Sequence, residues 1–182
     1  MKTKDEAIID DLFKIKGKAE IVNGEIVTFP PAGALPGYAA GEVFVSLHEY
    51  SRHRKVGHAV GGNRAFVVNL PPLRSFSPNA AFYVGDIGIT FLEGAPLFAV
   101  EVRNETDYGA CAERHIVQKR ADYFAAGTIV VWDVDLLSDD VVRVYRRSDP
   151  LKPTIYHRGE IAEAEPAVRE WTMPVDDLFP ES

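Results

Sequence analysis

The stretch PLFAVEVRNETDYGACAERHIVQKRADYFAAGTIVVWDVD, residues 96–135, decides the fold. Pro96–Val102 is apolar and β-prone, and residues 111–126 carry a helical pattern of about four turns that Gly127 ends. Residues 128–133 are again β-branched and apolar. Strand, helix and strand in that order, at ordinary connection length, make two parallel strands with a covering helix. The following DLLSDD turns the chain into Val141–Arg146, expected antiparallel at a sheet edge. The class is α/β, a mixed central β-sheet flanked by helices.

Outward from this unit the pattern stays regular. Residues 5–18 put Ile8, Ile9, Leu12 and Phe13 on one helical stripe, with Gly17 as a stop. AEIVNGEIVTF is a hairpin turning at Asn23-Gly24, and FPPAGALPG (29–37) is a stiff loop. Val43, Leu47 and Tyr50 stripe a helix from Ala39 to about His53, although Val43-Phe44-Val45 also suits a strand. His58–Val60, Ala65–Leu70 and Ala80–Val84 read as strands, PPLRSFSPN as a loop, and WTMPVDDLF as a short packed tail. At 182 residues with no internal repeat or linker, the expectation is one domain, 1–182.

Composition narrows the chemistry. There are 27 acidic against 20 basic residues, a net charge of −7, so the broad basic footprint of a passive nucleic-acid binder is missing. No apolar run approaches the roughly 20 residues that span a bilayer. The start MKTKDEAIIDDLF lacks a signal peptide's apolar region, which makes the cytoplasm the default location and excludes the membrane. The single cysteine, Cys111, excludes an internal disulfide and is expected to be a partly buried small hydrophobe. The five histidines form no HExxH or paired metal motif, and no phosphate-loop or dinucleotide fingerprint is present.

Alternation in PLFAVEV sets Leu97, Ala99 and Glu101 on one face, and Phe98, Val100 and Val102 on the other. A covering helix should bury Glu101, so its charge needs water at the strand end, a partner or a metal. On the helix, Ala112, Ile116, Lys119 and Tyr123 share the sheet-facing side, which Lys119 interrupts. Its stem could simply snorkel; alternatively its ammonium points at the end of the glutamate-bearing strand, where it could hold phosphate charge. Asn79 enters a strand behind Pro78. Asp86 and Asp107 lie near element ends, Asp107 reading best as a loop cap. Glu20, Glu25 and Glu93 each have a plain reading as surface groups, and RHRK (52–55) reads equally as a basic patch or a solvated helix end.

Taken in order, AEIVNGEIV with a proline-rich loop, GGNRAFVV, SPNAAFYV, PLFAVEVRNETD, the Lys119 helix, GTIVVWDVD, VVRVYRR and VREWTMPVDDLF resemble the Uma2 family of restriction-endonuclease-like proteins. The resemblance runs from about residue 15 to the end. It implies the PD-(D/E)xK nuclease fold and Mg²⁺-dependent hydrolysis of DNA phosphodiesters, with Mn²⁺ as substitute, in a homodimer. By motif it carries the metal ligands to Glu101, Asn79 and Glu20, and the catalytic lysine to Lys119. Arg103 stands at the usual lysine position and is expected at substrate phosphate, with Gln118 a weaker candidate to orient substrate or water. The family's aspartate is Asn79 here, a neutral oxygen where Mg²⁺ favours charge. Asp86 or Asp107 could compensate. The alternative is a weakened or inactive binding or structural protein on the same fold.

Overall fold

In the computed structural model, residues 4–181 are described, the side chains of residues 5–7 excepted. The quoted stretch forms β8 (Phe98–Val102), α3 (Ala110–Ala126) and β9 (Val130–Val134), and β8 and β9 pair in parallel with Glu101 opposite Asp133. Gly127, at φ 116°, closes α3 by donating its N–H to the carbonyls of Phe124 and Tyr123, a conformation open chiefly to glycine. Two further strands complete the core on one side, β6 (Ala80–Tyr83) antiparallel to β8 and β3 (His58–Gly61) antiparallel to β6. β10 (Val142–Arg146) and β11 (Asp149–Tyr156) extend the other side, giving the order β11-β10-β9-β8-β6-β3.

The strand expected at the edge is therefore internal. β10 does run antiparallel to β9, but β11 covers its far side. Pro150 and Pro153 hid β11 from sequence reading, because proline suits only edge strands, which is the place β11 occupies. The tail is likewise a hairpin, β12 (Ile161–Ala164) with β13 (Val168–Pro174), and a 3-10 turn at Val175–Leu178 follows.

Both faces of β8 are buried, as the crossover requires. On one, Phe98, Val100 and Val102 join Trp132, Val134, Trp171 and the Ala39, Val43 and Leu47 stripe of α2 (Ala34–Arg54). That helix starts before the expected Ala39, with Pro36 tolerated in its first turn. The Phe98, Trp132 and Trp171 rings stand 5.2–5.6 Å apart in edge and tilted contacts. Ala99 and Val131 face the other way, onto Tyr123, Phe124 and Phe66.

The first helix, α1 (Lys4–Lys14), ends earlier than the expected residue 18. Next, β1 (Ala19–Val22) and β2 (Glu25–Thr28) form the hairpin, with Asn23 and Gly24 both at positive φ. Within the supposed loop 71–79 lies β5 (Arg74–Phe76), paired with β4 (Phe66–Val68), which also pairs with the short β7 (Leu92–Glu93). Three residues between prolines give too short a pattern to read, but this strand matters: the Ser75 hydroxyl receives the Ile21 N–H at 2.7 Å and fixes β1 against β5. Cys111 is exposed, because it lies on the outer side of the first turn of α3.

Phe98→Ala removes the ring on which both tryptophans rest. It should cost about 3–5 kcal/mol of stability, read as a lower urea midpoint with unchanged slope.

Candidate functional site

Glu101 occupies the penultimate position of β8, at the end of the strand where α3 crosses back. Lys119 projects from the middle of α3 and its Nζ lies 2.7 Å from Glu101 Oε1. The same ammonium donates to Glu20 Oε1 at 2.9 Å. Glu20 sits on β1, 2 % exposed, and also accepts the Ser77 N–H at 2.8 Å. Tyr123, one turn beyond Lys119, donates its hydroxyl to Glu101 Oε1 at 2.6 Å. One lysine thus joins two carboxylates from distant parts of the chain.

Asn79 stands just before β6 and bonds the residues on either side of Glu101. The β6–β8 register sets Ala80 opposite Val100, and Asn79 precedes that pair on the β6 side. Its backbone N–H donates to the Val100 carbonyl and its Oδ1 accepts the Val102 N–H, both at 2.9 Å. Because that oxygen is fixed by a backbone donor, the remaining terminal group of the side chain is the amide nitrogen, itself a donor.

Burial raises the Glu101 carboxyl, but the charges of Lys119 and Lys18, with hydrogen bonds from Lys119 and Tyr123, outweigh it and hold the group below its ordinary 4.5. Burial lowers Lys119, and Glu101 and Glu20 more than reverse this, so it stays above its ordinary 10.5. Desolvation first, then the two glutamates, raises Tyr123 well above 10.0. At neutral pH the site therefore holds an ammonium, an ionised Glu101 and a protonated tyrosine.

Other expected participants lie elsewhere. Arg103 is committed to other acids: it is 9 % exposed, and its Nε and one terminal nitrogen grip Asp133 at 2.7 and 2.8 Å. Its guanidinium also meets Glu113 on α3, leaving it no free face for substrate phosphate. Gln118 points outward and donates to Asp122 at 3.0 Å, since its helical position is a step away from the sheet-facing stripe. Asp86 follows the far end of β6 from Asn79 and is exposed, so it cannot compensate there. Asp107 caps its own loop by accepting the Asn104 N–H at 2.8 Å.

A family model described as "Uma2: Putative restriction endonuclease" matches residues 9–176. The chain belongs to the Uma2 family. A crystal structure from Anabaena variabilis ATCC 29413, described as "a putative nuclease belonging to DUF820", has a similar fold at TM-score 0.71 and 18% identity, covering 94% of this chain and 96% of that one. No curated protein matches. The fold is the restriction-endonuclease-like α/β type, nuclease-like in its family.

Against a Uma2 nuclease site the donors suit a hard divalent cation in kind, two carboxylates, but fall short in number. Among the described residues no group of three or more His, Cys, Asp and Glu side chains could hold a metal. The third position is Asn79, whose oxygen already serves Val102. Such a set fits an ion shared with a phosphate, which Mg²⁺ accepts, and not one enclosed by the chain alone.

Two residues escaped sequence reading. Tyr123 was seen only as part of the packing stripe, although its spacing of four from Lys119 puts both over the same carboxylate. Ser77 supplies a backbone donor, which leaves no sequence signal.

The Glu101–Lys119 attraction is complete between about pH 4.5 and 10.5. It is lost as pH falls through the depressed Glu101 value or rises through the raised Lys119 value. Lys119→Met leaves two carboxylates without their cation and should cost about 2 kcal/mol at pH 7. Thermal melts across pH should then diverge: wild type loses stability on acidification towards pH about 4, whereas Lys119→Met gains it as one carboxyl takes up a proton.

Proposed function

We propose that this Uma2 protein is a metal-assisted nuclease of DNA phosphodiesters whose cation site is weakened at Asn79. The observation that carries the reading is the Glu20–Lys119–Glu101 cluster at the end of the central strands, with Asn79 bonded to Val100 and Val102 on either side of Glu101. Glu101 and Glu20 would hold Mg²⁺ or Mn²⁺ together with the substrate phosphate. The bound ion would neutralise phosphate charge and acidify water.

Each side chain then has a task set by its protonation. Lys119 stays charged, so it is no base. An ammonium has three donors, and two are used on the glutamates. The third is available to a phosphate oxygen, where it would favour the extra negative charge of the pentacoordinate transition state. Tyr123 holds Glu101 in one orientation through its hydroxyl. Without a cation, the phosphate would meet two carboxylates contacted by one ammonium, with Lys18 acting only from the rim, which disfavours close binding by repulsion. Dependence on a divalent ion is therefore part of the proposal.

One observation favours a second reading, a family member that binds without cleaving. The Asn79 oxygen is tied to Val102, which leaves an amide donor where a charged ligand would be needed. Asn79→Asp separates the two. Cleavage of labelled DNA with Mg²⁺ or Mn²⁺ should be slow in wild type and rise about tenfold or more in Asn79→Asp, one ligand's worth of cation affinity. Glu101→Gln or Lys119→Ala should lower the Asn79→Asp rate by about a hundredfold. No cleavage by wild type or by Asn79→Asp, under either ion, would leave the non-hydrolytic reading.

A further inference from the structure

The same hairpin that delivers Glu20 carries a second feature at the mouth of the site. Phe29 follows β2 directly, and its N–H donates to the Lys18 carbonyl at 2.9 Å, so the two residues face each other across the hairpin's open end. Phe29 is 37% exposed. Lys18 Nζ lies 5.7 Å from its centroid and Lys119 Nζ 5.9 Å. Pro30 and Pro31 stiffen the chain beyond the ring, and the Gly33 N–H donates to Asn104 Oδ1 at 3.0 Å, tying this loop to the end of β8. An aromatic ring is thus kept at the surface within reach of the site lysine, not folded into the core.

Lys18 completes the rim. It is half-buried and makes no ion pair with a carboxylate among the described residues, while its charge acts on Glu101. A cation resting weakly over an exposed ring can exchange that contact for a phosphate and free the ring for a base.

We propose that Phe29 and Lys18 seat an unpaired nucleotide beside the reacting phosphate, so that the substrate is a single-stranded nucleic acid; this rests on the nuclease reading of the same site. A base can stack on Phe29 only once it has left a duplex stack. Aromatic stacking with a flanking cation is the sequence-tolerant means by which proteins hold single strands. With Lys119 Nζ 5.9 Å from the Phe29 centroid, a phosphate held by Lys119 would leave its base beside the ring. The overall charge of −7 agrees, because a short rim needs no long basic track along duplex phosphates. A single strand also needs one site, whereas the homodimer implied by the resemblance would serve cleavage of two strands.

The test is fluorescence anisotropy of the full chain with labelled oligo(dT) and with a blunt duplex of the same length, in Ca²⁺ and at low salt. Wild type should bind the single strand more tightly than the duplex. Phe29→Ala should weaken single-strand binding by about tenfold, and Phe29→Trp should restore it, with the new indole fluorescence quenched by the strand. Lys18→Met should lower the salt dependence of log Kd by about one. Duplex binding as tight as single-strand binding in wild type, or unchanged affinity in Phe29→Ala, would overturn the inference. Single-strand binding that depends on Phe29, with no cleavage by wild type or Asn79→Asp, supports the rim and sinks only the nuclease reading. Duplex cleavage at the wild-type rate by Phe29→Ala sinks the rim and leaves the nuclease reading standing.

Discussion

Everything at the centre of this molecule depends on how one sheet face accommodates two acids. The parallel β8–β9 register sets Glu101 directly opposite Asp133, and like charges so placed repel. Each is given its own cation. Lys119 reaches Glu101 from the covering helix, and Arg103, just past the end of β8, takes Asp133 in a two-pronged grip. The guanidinium's planar fork suits that geometry. Glu113 of α3 closes the circuit by meeting the same guanidinium. The helix is thereby tied to the sheet by charge at its first turn and at its middle, and by the buried Tyr123 ring one turn later.

This division explains why the cation in contact with Glu101 comes from the helix and not from position 103. Arginine at position 103 is spent on Asp133 and Glu113, so it supports the site without touching it. Lys119 then serves two masters, since the carboxylates it joins come from the hairpin and from the central strand. The ammonium between them is what draws β1 towards the sheet end, helped by the Ser75 hydroxyl and the Ser77 amide. Removing the lysine would therefore disturb structure as well as chemistry, which is why variants at Glu101 and Asn79 report on function more cleanly.

The parts of the fold legible in the sequence were those with long, consistent patterns. The strand–helix–strand unit, the Asn23-Gly24 hairpin and the inward direction of Lys119 and Tyr123 all follow from periodicity and turn chemistry. What escaped had a physical reason. β5 is three residues between prolines, β11 carries two prolines, and the β12–β13 hairpin interrupts its register after Glu163. At the site, Glu20 looked like a surface residue because nothing in AEIV announces that Lys119 will arrive from another segment. Arg103 misled in the opposite direction: its partner Asp133 lies thirty residues on, and only the parallel register brings them together.

Asn79 shows how a neutral side chain can meet the backbone's demand at the end of the central strands. Its structural duty is to accept the Val102 N–H where β6 leaves β8, and either an amide oxygen or a carboxylate oxygen does this. An aspartate would keep a second oxygen for a cation; asparagine keeps an amide nitrogen, which cannot ligate one. An aspartate there would also add a negative charge near Glu20, Glu101 and Asp133, which Lys119 and Arg103 already neutralise. Folding thus has a less repulsive cluster with asparagine, whereas cation binding would favour aspartate. The two demands meet at one side chain, and asparagine at position 79 meets the one that the sheet makes, a single acceptor for Val102.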